Sequence, residues 1–282
     1  MVAAQYFVAV AGMAAMRQCL TRPSAVRARL DDVRRIVEGL DRFPNDLVIP
    51  VVEYELAEGY DAWAPRYDGP NPAVELDGAE MRSLLAEVPA GVALDAACGT
   101  GRHSAHLRER GFDVIGVDAN RSMLAVAEAN VSGADFRVGD LAALPVDDRA
   151  VDLVVCSLAL THVERLEPVL REFARVLRPG GRAVLSDVHP GFVAFGGAAV
   201  FPVDSEQFEL HYVRNLLHPV SEYVGAIAAA GLAVRECREP LVPEQAIVTN
   251  PAYAVLPDAV RQAFEGLPFL LMWSLDKPVD PL

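Results

Sequence analysis

Three aspartates each close an apolar run: Asp95 in "VALDAACGTG", Asp118 in "FDVIGVDAN" and Asp140 in "FRVGDLAALP". The first stands four residues ahead of Gly99, which opens a Gly99-x-Gly101 turn with Ser104 close behind. Such a turn lets backbone approach a ligand that a Cβ would repel, and it bares the amides at the start of the next helix. Taken alone it fits a dinucleotide, another small ligand, or a tight turn with no ligand at all. Residues 99–104, "GTGRHS", even satisfy a loose dinucleotide fingerprint. The acid at 95 separates these readings, because a carboxylate repels a pyrophosphate and attracts an ammonium group. Asp118 is placed to accept hydrogen bonds from ribose hydroxyls, and Asp140 from the exocyclic amine of an adenine.

An amino-acid end, a ribose and an adenine without phosphates together describe S-adenosylmethionine. Methyl transfer from a sulfonium is an in-line displacement, in which the protein aligns the nucleophile and excludes water. A general base is needed only where the acceptor must shed a proton. The candidates are histidines: His189 in "SDVHP", with Asp187 beside it, and His162 in "SLALTHV". His211 and His218 flank a long irregular stretch, while His103 and His106 sit on the helix after the glycine turn. The ordinary alternative for each is a solvated or hydrogen-bonding structural histidine.

The elements that must carry these groups alternate from residue 79 onward. "AEMRSLLAEVP" reads as a helix, "GVALDAA" as a strand, and "GRHSAHLRERG" as a helix closed by Gly111. "FDVIGVDA", "ADFRVGD", "VDLVVCSLAL" and "RAVLSDV" follow as strands, with helices at "RSMLAVAEAN" and "LEPVLREFARVLRPGG" between them. Strand and helix in turn, with Val- and Leu-rich strands, predict a doubly wound α/β core whose parallel sheet is covered on both faces. After Pro190 the pattern lapses into a Gly- and aromatic-rich stretch, and residues 190–218 read as a lid or substrate wall. "SEYVGAIAAAG" resumes as a helix, "LAVRECREP" as a strand, and "LPFLLMWSLDKP" as a final strand after a helix near Pro257 to Gly266. Ahead of this core, residues 1–42 read as helical, and "FPNDLVIP" (43–50) breaks the pattern. "VVEYELAEGYDAWA" reads as one or two helical faces, and "PRYDGPNPAVELDG" breaks again. The expected division is a helical N-terminal extension over 1–72 and an α/β domain over 73–282.

Composition narrows the partners. With 52% hydrophobic and 23% charged residues, the 282-residue chain is globular, and its net charge of −14 opposes a nucleic-acid partner. The first 42 residues are the exception, with seven arginines against four acids, read as a solvated helix face or a contact with the acidic body. Cys19, Cys98, Cys156 and Cys237 lie 79, 58 and 81 positions apart, so no metal spacing exists and a reduced, cytoplasmic protein is the expectation. "MVAAQYFVAVAGMAAM" lacks the basic start of a signal peptide and is too short to span a bilayer. It reads as an apolar helix that packs on the body, on a substrate, or on a second subunit in a homodimer.

"LDAACGTGRHSAHLRERGFDVIGVDANRSMLAVA", "FRVGDLAALPVDDRAVDLVVCSLALTHV" and "FARVLRPGGRAVLSDVHP" resemble, in order and spacing, the class I S-adenosylmethionine-dependent methyltransferases. Within that class they are most similar to the small-molecule branch of ubiquinone and menaquinone biosynthesis methyltransferases. The resemblance covers roughly residues 55–240. It implies a Rossmann-like seven-stranded sheet with an antiparallel last strand, S-adenosyl-L-methionine as cofactor and S-adenosyl-L-homocysteine as product. Carried over by position, it implies that Gly99, Gly101 and Arg102 border the methionine portion and that Asp95 touches its amine directly or through water. Asp118 with Ala119 would hold the ribose, Met123 would pack on the adenine, Gly139, Asp140 and Leu141 would bracket the base, and Ser157 would line the methionine end. "YDAWAPRYD" is similar to a family segment that closes over the cofactor, which nominates Tyr60 and Tyr67; helix packing is the alternative for both.

No metal is implied. The expected acceptor is a small aromatic or alkaloid-like metabolite with oxygen, nitrogen or ring carbon as the accepting atom. A cyclase or binding module that holds S-adenosylmethionine without methylation, and an NAD-dependent oxidoreductase, remain as alternatives.

Overall fold

The computed structural model describes residues 3–39, 50–201 and 209–279. The predicted break at 43–49 and the middle of the predicted lid, 202–208, therefore lie outside the described residues. In chain order the elements are α1 (Ala3–Gln18), α2 (Pro23–Glu38), β1 (Val51–Tyr54), α3 (Leu56–Trp63), α4 (Pro72–Leu85), β2 (Val92–Ala96) and α5 (Arg102–Glu109). Then come β3 (Asp113–Asp118), α6 (Arg121–Asn130), β4 (Asp135–Val138), β5 (Val151–Ser157), α7 (Leu166–Val176), β6 (Leu177–Val188) and α8 (Pro190–Ala194). The remainder are β7 (Ala199–Phe201), β8 (Leu210–Val213), α9 (Val220–Ala229), β9 (Ala233–Arg238), α10 (Glu244–Val248), α11 (Pro257–Phe264) and β10 (Leu270–Asp276).

The main sheet has seven strands in the order β4-β3-β2-β5-β6-β10-β9. Strands β4, β3, β2, β5 and β6 run parallel, and β10 pairs antiparallel with both β6 and β9. This is the doubly wound α/β sheet with an antiparallel last strand that the sequence predicts. Side chains alternate across it as strand geometry requires. Ala93, Val155, Val184 and Met272 meet Met81 and Leu85 of α4 and Leu107 of α5. Leu94, Val154, Cys156 and Leu185 meet Leu170 and Phe173 of α7 and Ile227 of α9. In α7 the buried positions Leu166, Val169, Leu170, Phe173 and Val176 follow the three-and-four spacing of one helical stripe.

Some local expectations are corrected. Residues 51–54 form strand β1 rather than helix, since the β-branched pair Val51 and Val52 suits an extended segment. The break expected over 65–78 ends early, because Pro72 occupies the first turn of α4 and Asn71 caps it, accepting from Ala73 N at 3.0 Å. Helix α7 stops at Val176 rather than at the glycines, and Leu177 already pairs with Val151 in the sheet. The described parts of 190–218 contain α8, β7 and β8, and β1, β8 and β7 form a second, three-stranded sheet.

The chain groups into two compact units, and the expected boundary at residue 72 falls inside the larger one. The smaller comprises Met1–Val52, Pro202–His211 and Leu241–Pro268. Within it α1 buries Phe7, Val10, Ala11 and Ala14. Arg17 donates to Ala263 O at 2.8 Å and Glu265 O at 3.0 Å, capping the end of α11. In α2, Asp32 pairs with Arg29 at 3.0 Å and also with Arg35, and Asp31 pairs with Arg34 at 3.5 Å. Several of the N-terminal arginines are thus matched by acids on their own helix. Among the described residues no helix is long and apolar enough to cross a membrane, and no group of three or more His, Cys, Asp or Glu could hold a metal ion. The larger unit, Glu53–Phe201, Tyr212–Pro240 and Phe269–Leu282, carries the main sheet and the cavity described below.

Candidate active site

A cavity of about 900 Å³ opens at the carboxyl ends of β2, β3 and β5, where ligands bind in open parallel sheets. Its walls bring together Tyr60, Tyr67, Gly99, Asp118, Ala119, Met123, Gly139, Asp140, Leu141, Ser157 and His162. These eleven sequence-nominated residues come from separate elements, so only the fold unites them. Two wall residues that are not glycine, Ala97 and Leu158, take φ of +57° and +53° just past the ends of β2 and β5. Left-handed backbone in ordinary residues costs on the order of 1–3 kcal/mol each and gathers at functional sites. Nothing in the types Ala and Leu could have signalled it.

Gly99 has φ +55°, and a Cβ placed there would meet no atom within 4 Å, so the glycine leaves open the space that a side chain would occupy. Its N–H donates to Asp118 Oδ2 at 2.8 Å, while Asn120 N–H donates to Oδ1 at 2.8 Å. The carboxylate is thereby fixed at the cavity wall, and its remaining lone pairs can accept from ligand hydroxyls. Burial raises the pKa of Asp118, and these backbone donors hold it back toward ionisation. Asp140, also on the cavity wall, accepts from Ala142 N at 2.7 Å.

Four nominated residues are placed elsewhere. Asp95 is 1% exposed and is not on the cavity wall; it accepts from Ser104 Oγ at 2.7 Å and so ties β2 to the first turn of α5. Burial raises its pKa, with His103 and Ser104 opposing the rise. Asp95 thus does not face the cavity, and its charge does not separate an ammonium from a pyrophosphate there as the sequence leads one to expect. Gly101, at φ +84°, is a packing residue, because a Cβ there would come within 3.0 Å of Val131 Cγ2 and 3.2 Å of Ala127 Cβ. Arg102 joins Gly101 on a separate hollow and donates to Asp77 Oδ2 at 2.7 Å. His189 accepts from Gly191 N at 3.0 Å as the cap of α8 and lies 3.0 Å from Glu239, away from the cavity walls.

Sequence reasoning misses Asp77. This fully buried residue of α4 lies 3.0 Å from His103 Nε2 and accepts from Arg102 Nη2, from Ser157 Oγ at 2.8 Å and from Ser186 Oγ. Burial works against its ionisation, but the His103 hydrogen bond and the neighbouring cations outweigh that and hold its pKa well below the carboxylate range. Its signal was the helical stripe, since Val74, Asp77, Gly78, Met81, Leu84 and Leu85 share the buried face of α4.

His162 and Tyr60, 102 positions apart, meet at 2.8 Å between Nε2 and Oη. Burial pushes His162 down to about 4 and raises Tyr60 well above the usual phenol range. Tyr67 is pushed up to about 12, again chiefly by burial. All three are neutral at physiological pH. The cavity thus combines a fixed carboxylate, a glycine gap and a neutral hydrogen-bonding pair.

This is the fold of the S-adenosylmethionine-dependent methyltransferase structures to which the chain is similar. Residues 94–185 match the sequence model of the family described as a methyltransferase domain. The chain is 35% identical over 147 residues to a demethylmenaquinone methyltransferase of Renibacterium salmoninarum, covering 50% of this chain and 62% of that protein. It is 32% identical over 152 residues to a malonyl-acyl-carrier-protein O-methyltransferase of Yersinia pestis, covering 54% and 57%. The chain spans less than two thirds of the length of these relatives. In fold it is similar to an S-adenosylmethionine-dependent methyltransferase from Mesorhizobium loti, with TM-score 0.53, 24% identity, and 70% and 96% of the two chains covered. It is also similar to the cyclase SpnF, with TM-score 0.55, 20% identity, and 82% and 99% covered.

Proposed function

We propose that the protein transfers the methyl group of S-adenosyl-L-methionine to a small organic acceptor of aromatic or alkaloid-like character. The observation that carries this reading is the meeting, in one cavity, of the fixed Asp118 carboxylate with the neutral Tyr60–His162 pair. The residues present fit the cofactor: Asp118 would hold the ribose hydroxyls, Asp140 and Leu141 the adenine edge, and Met123 its face. The open space at Gly99 would admit the part of the ligand nearest the turn. When bound, S-adenosylmethionine supplies an electrophilic methyl group for in-line displacement.

The chain's own residues then orient and desolvate the acceptor. Leu56, Leu158, Val163 and Pro168 give the cavity apolar walls, which suits an uncharged ring system. Tyr60 and His162 can hydrogen-bond its heteroatom without adding charge. A histidine at about 4 is a poor base near neutrality. The acceptor is therefore one whose electron pair is available without prior deprotonation, such as an amine or an electron-rich ring.

Isothermal titration with S-adenosyl-L-homocysteine and with NAD tests the cofactor. Binding of the first but not the second is expected, and the reverse would overturn the reading. A screen of aromatic amines, phenols and alkaloids for S-adenosyl-L-homocysteine release tests the transfer; tight cofactor binding with no turnover on any acceptor class would instead favour a non-methylating cyclase or binding module. A homodimer through the N-terminal helices belongs to the same proposal, since Met16, Leu30 and Val37 are exposed there. Light scattering at the monomer mass would remove it.

A further inference from the structure

Asn120, whose carbonyl accepts from Leu124 N at 3.2 Å at the start of α6, makes four further hydrogen bonds in three directions. Its backbone N–H donates to Asp118 Oδ1 at 2.8 Å. Its side-chain Oδ1 accepts from Met123 N at 2.9 Å and caps α6. Its Nδ2 crosses to α3, donating to Ala57 O at 3.2 Å and to Asp61 Oδ1 at 3.0 Å. The amide orientation follows from its partners, because Met123 N offers only a donor and Ala57 O only an acceptor.

Helix α3 carries Tyr60, and its other side is already seated. A Cβ at Gly59 would come within 2.3 Å of Val213 Cγ2, so helix and strand β8 approach as closely as a glycine allows. Trp63 stacks on Phe201 at 5.2 Å between ring centroids. Among the described residues, the side-chain hydrogen bonds that join α3 to the β3–α6 turn are the two from Asn120 Nδ2. A serine or aspartate at 120 could cap α6 as well as asparagine does. Aspartate has no donor and serine a single O–H on a shorter arm, whereas the amide caps α6 with its oxygen and gives α3 two hydrogens from a separate nitrogen.

We infer that Asn120 is a positioning residue that sets the distance between Asp118 and Tyr60, joining the carboxylate that faces the ribose to the aromatic pair that faces the acceptor. The cap alone does not call for an amide. The inference rests on the cofactor reading of the cavity for its second consequence, ligand retention, but not for its first, the anchoring of α3.

The test compares Asn120→Ser, which keeps a capping oxygen and replaces the two-hydrogen amide donor with a single O–H on a shorter arm, with Asn120→Asp, which keeps the cap and sets a carboxylate beside Asp61. Three quantities are read on the full-length protein: thermal midpoint, hydrogen exchange of the amides of residues 56–63, and the dissociation rate of S-adenosyl-L-homocysteine. For Asn120→Ser, exchange in 56–63 and ligand dissociation should each rise about tenfold, the weight of one to two net hydrogen bonds, with the thermal midpoint nearly unchanged. Asn120→Asp should exceed both rises, and salt should partly reverse its excess.

Unchanged exchange in Asn120→Ser would overturn the anchoring. Faster exchange with an unchanged dissociation rate would overturn the coupling to the ligand. If the unaltered protein binds no S-adenosyl-L-homocysteine, the cofactor reading fails separately, and the exchange of 56–63 still decides whether Asn120 holds α3.

Discussion

The carboxyl ends of β2 and β3 each carry an aspartate, and the two face different partners. Asp118 is pinned by Gly99 and Asn120 amides and lies on the cavity wall. Asp95, one strand away, turns inward to Ser104 and joins the sheet to α5. Both have raised pKa values, and burial is the leading cause for each. Position at a strand end and perturbed titration therefore do not distinguish a carboxylate on the cavity wall from one turned into the fold. The direction of the side chain does.

The sharpest way to break this contrast is to remove each acid in turn. Asp118→Ala should weaken S-adenosyl-L-homocysteine binding about 100-fold, since hydrogen bonds to a charged group are worth ~1.5–3 kcal/mol each. Calorimetric titration reads this directly. A third strand-end acid, Asp187, extends the comparison: it accepts from Thr161 N at 2.6 Å and burial pushes it up to about 6, from an ordinary 3.8. A carboxylate that binds its proton more tightly when folded favours folding below pH 4 and loses that contribution as pH rises through about 6. The stability of the unaltered protein relative to Asp187→Asn should therefore fall by about 3 kcal/mol between pH 4 and 7, measured by denaturant unfolding at each pH.

Smaller effects follow. Asp95→Ala should lower stability by about 1–2 kcal/mol, as loss of a helix-start acceptor does, and weaken cofactor affinity less than Asp118→Ala. An equal loss of affinity in the two variants would erase the distinction. Gly99→Ala should cost about 1 kcal/mol in strain at φ +55° and reduce ligand affinity, because its methyl enters the open space. Least of all, His162→Gln should leave the pH dependence of turnover unaltered from pH 6 to 8, since His162 at about 4 is already neutral there. Loss of an acidic limb would restore His162 as a general base.

Much of the frame was legible because its signals are local. Val- and Leu-rich runs marked β2, β3, β5 and β6, and Gly99 marked the turn between sheet and helix. What escaped was set by distant parts of the chain. Whether Asp95 points at a ligand or at Ser104 depends on how α5 packs, and the meeting of Tyr60 with His162 depends on the whole intervening fold. His189 looked catalytic because it follows a strand end, but the next residue starts α8 and draws its ring into a cap. Asp77 was visible only as an acid on a buried stripe, a mismatch with no local explanation. Val51–Tyr54 was hidden by aromatic spacing that suits a helix as well as a strand.

Strand β10 bears on how the molecule is made. It lies between β6 and β9, its seven residues pairing with Arg182–Val188 on one side and with β9 on the other. During synthesis the half-sheet β4-β3-β2-β5-β6 can assemble from earlier residues, but the outer edge of β6 stays open until residue 276 has been translated. Until then that edge and the unpaired β9 offer free backbone donors and acceptors to any neighbouring chain. A newly made polypeptide is thus exposed to aggregation along that edge until Leu270–Asp276 has been made, and chaperone capture should be strong up to that point.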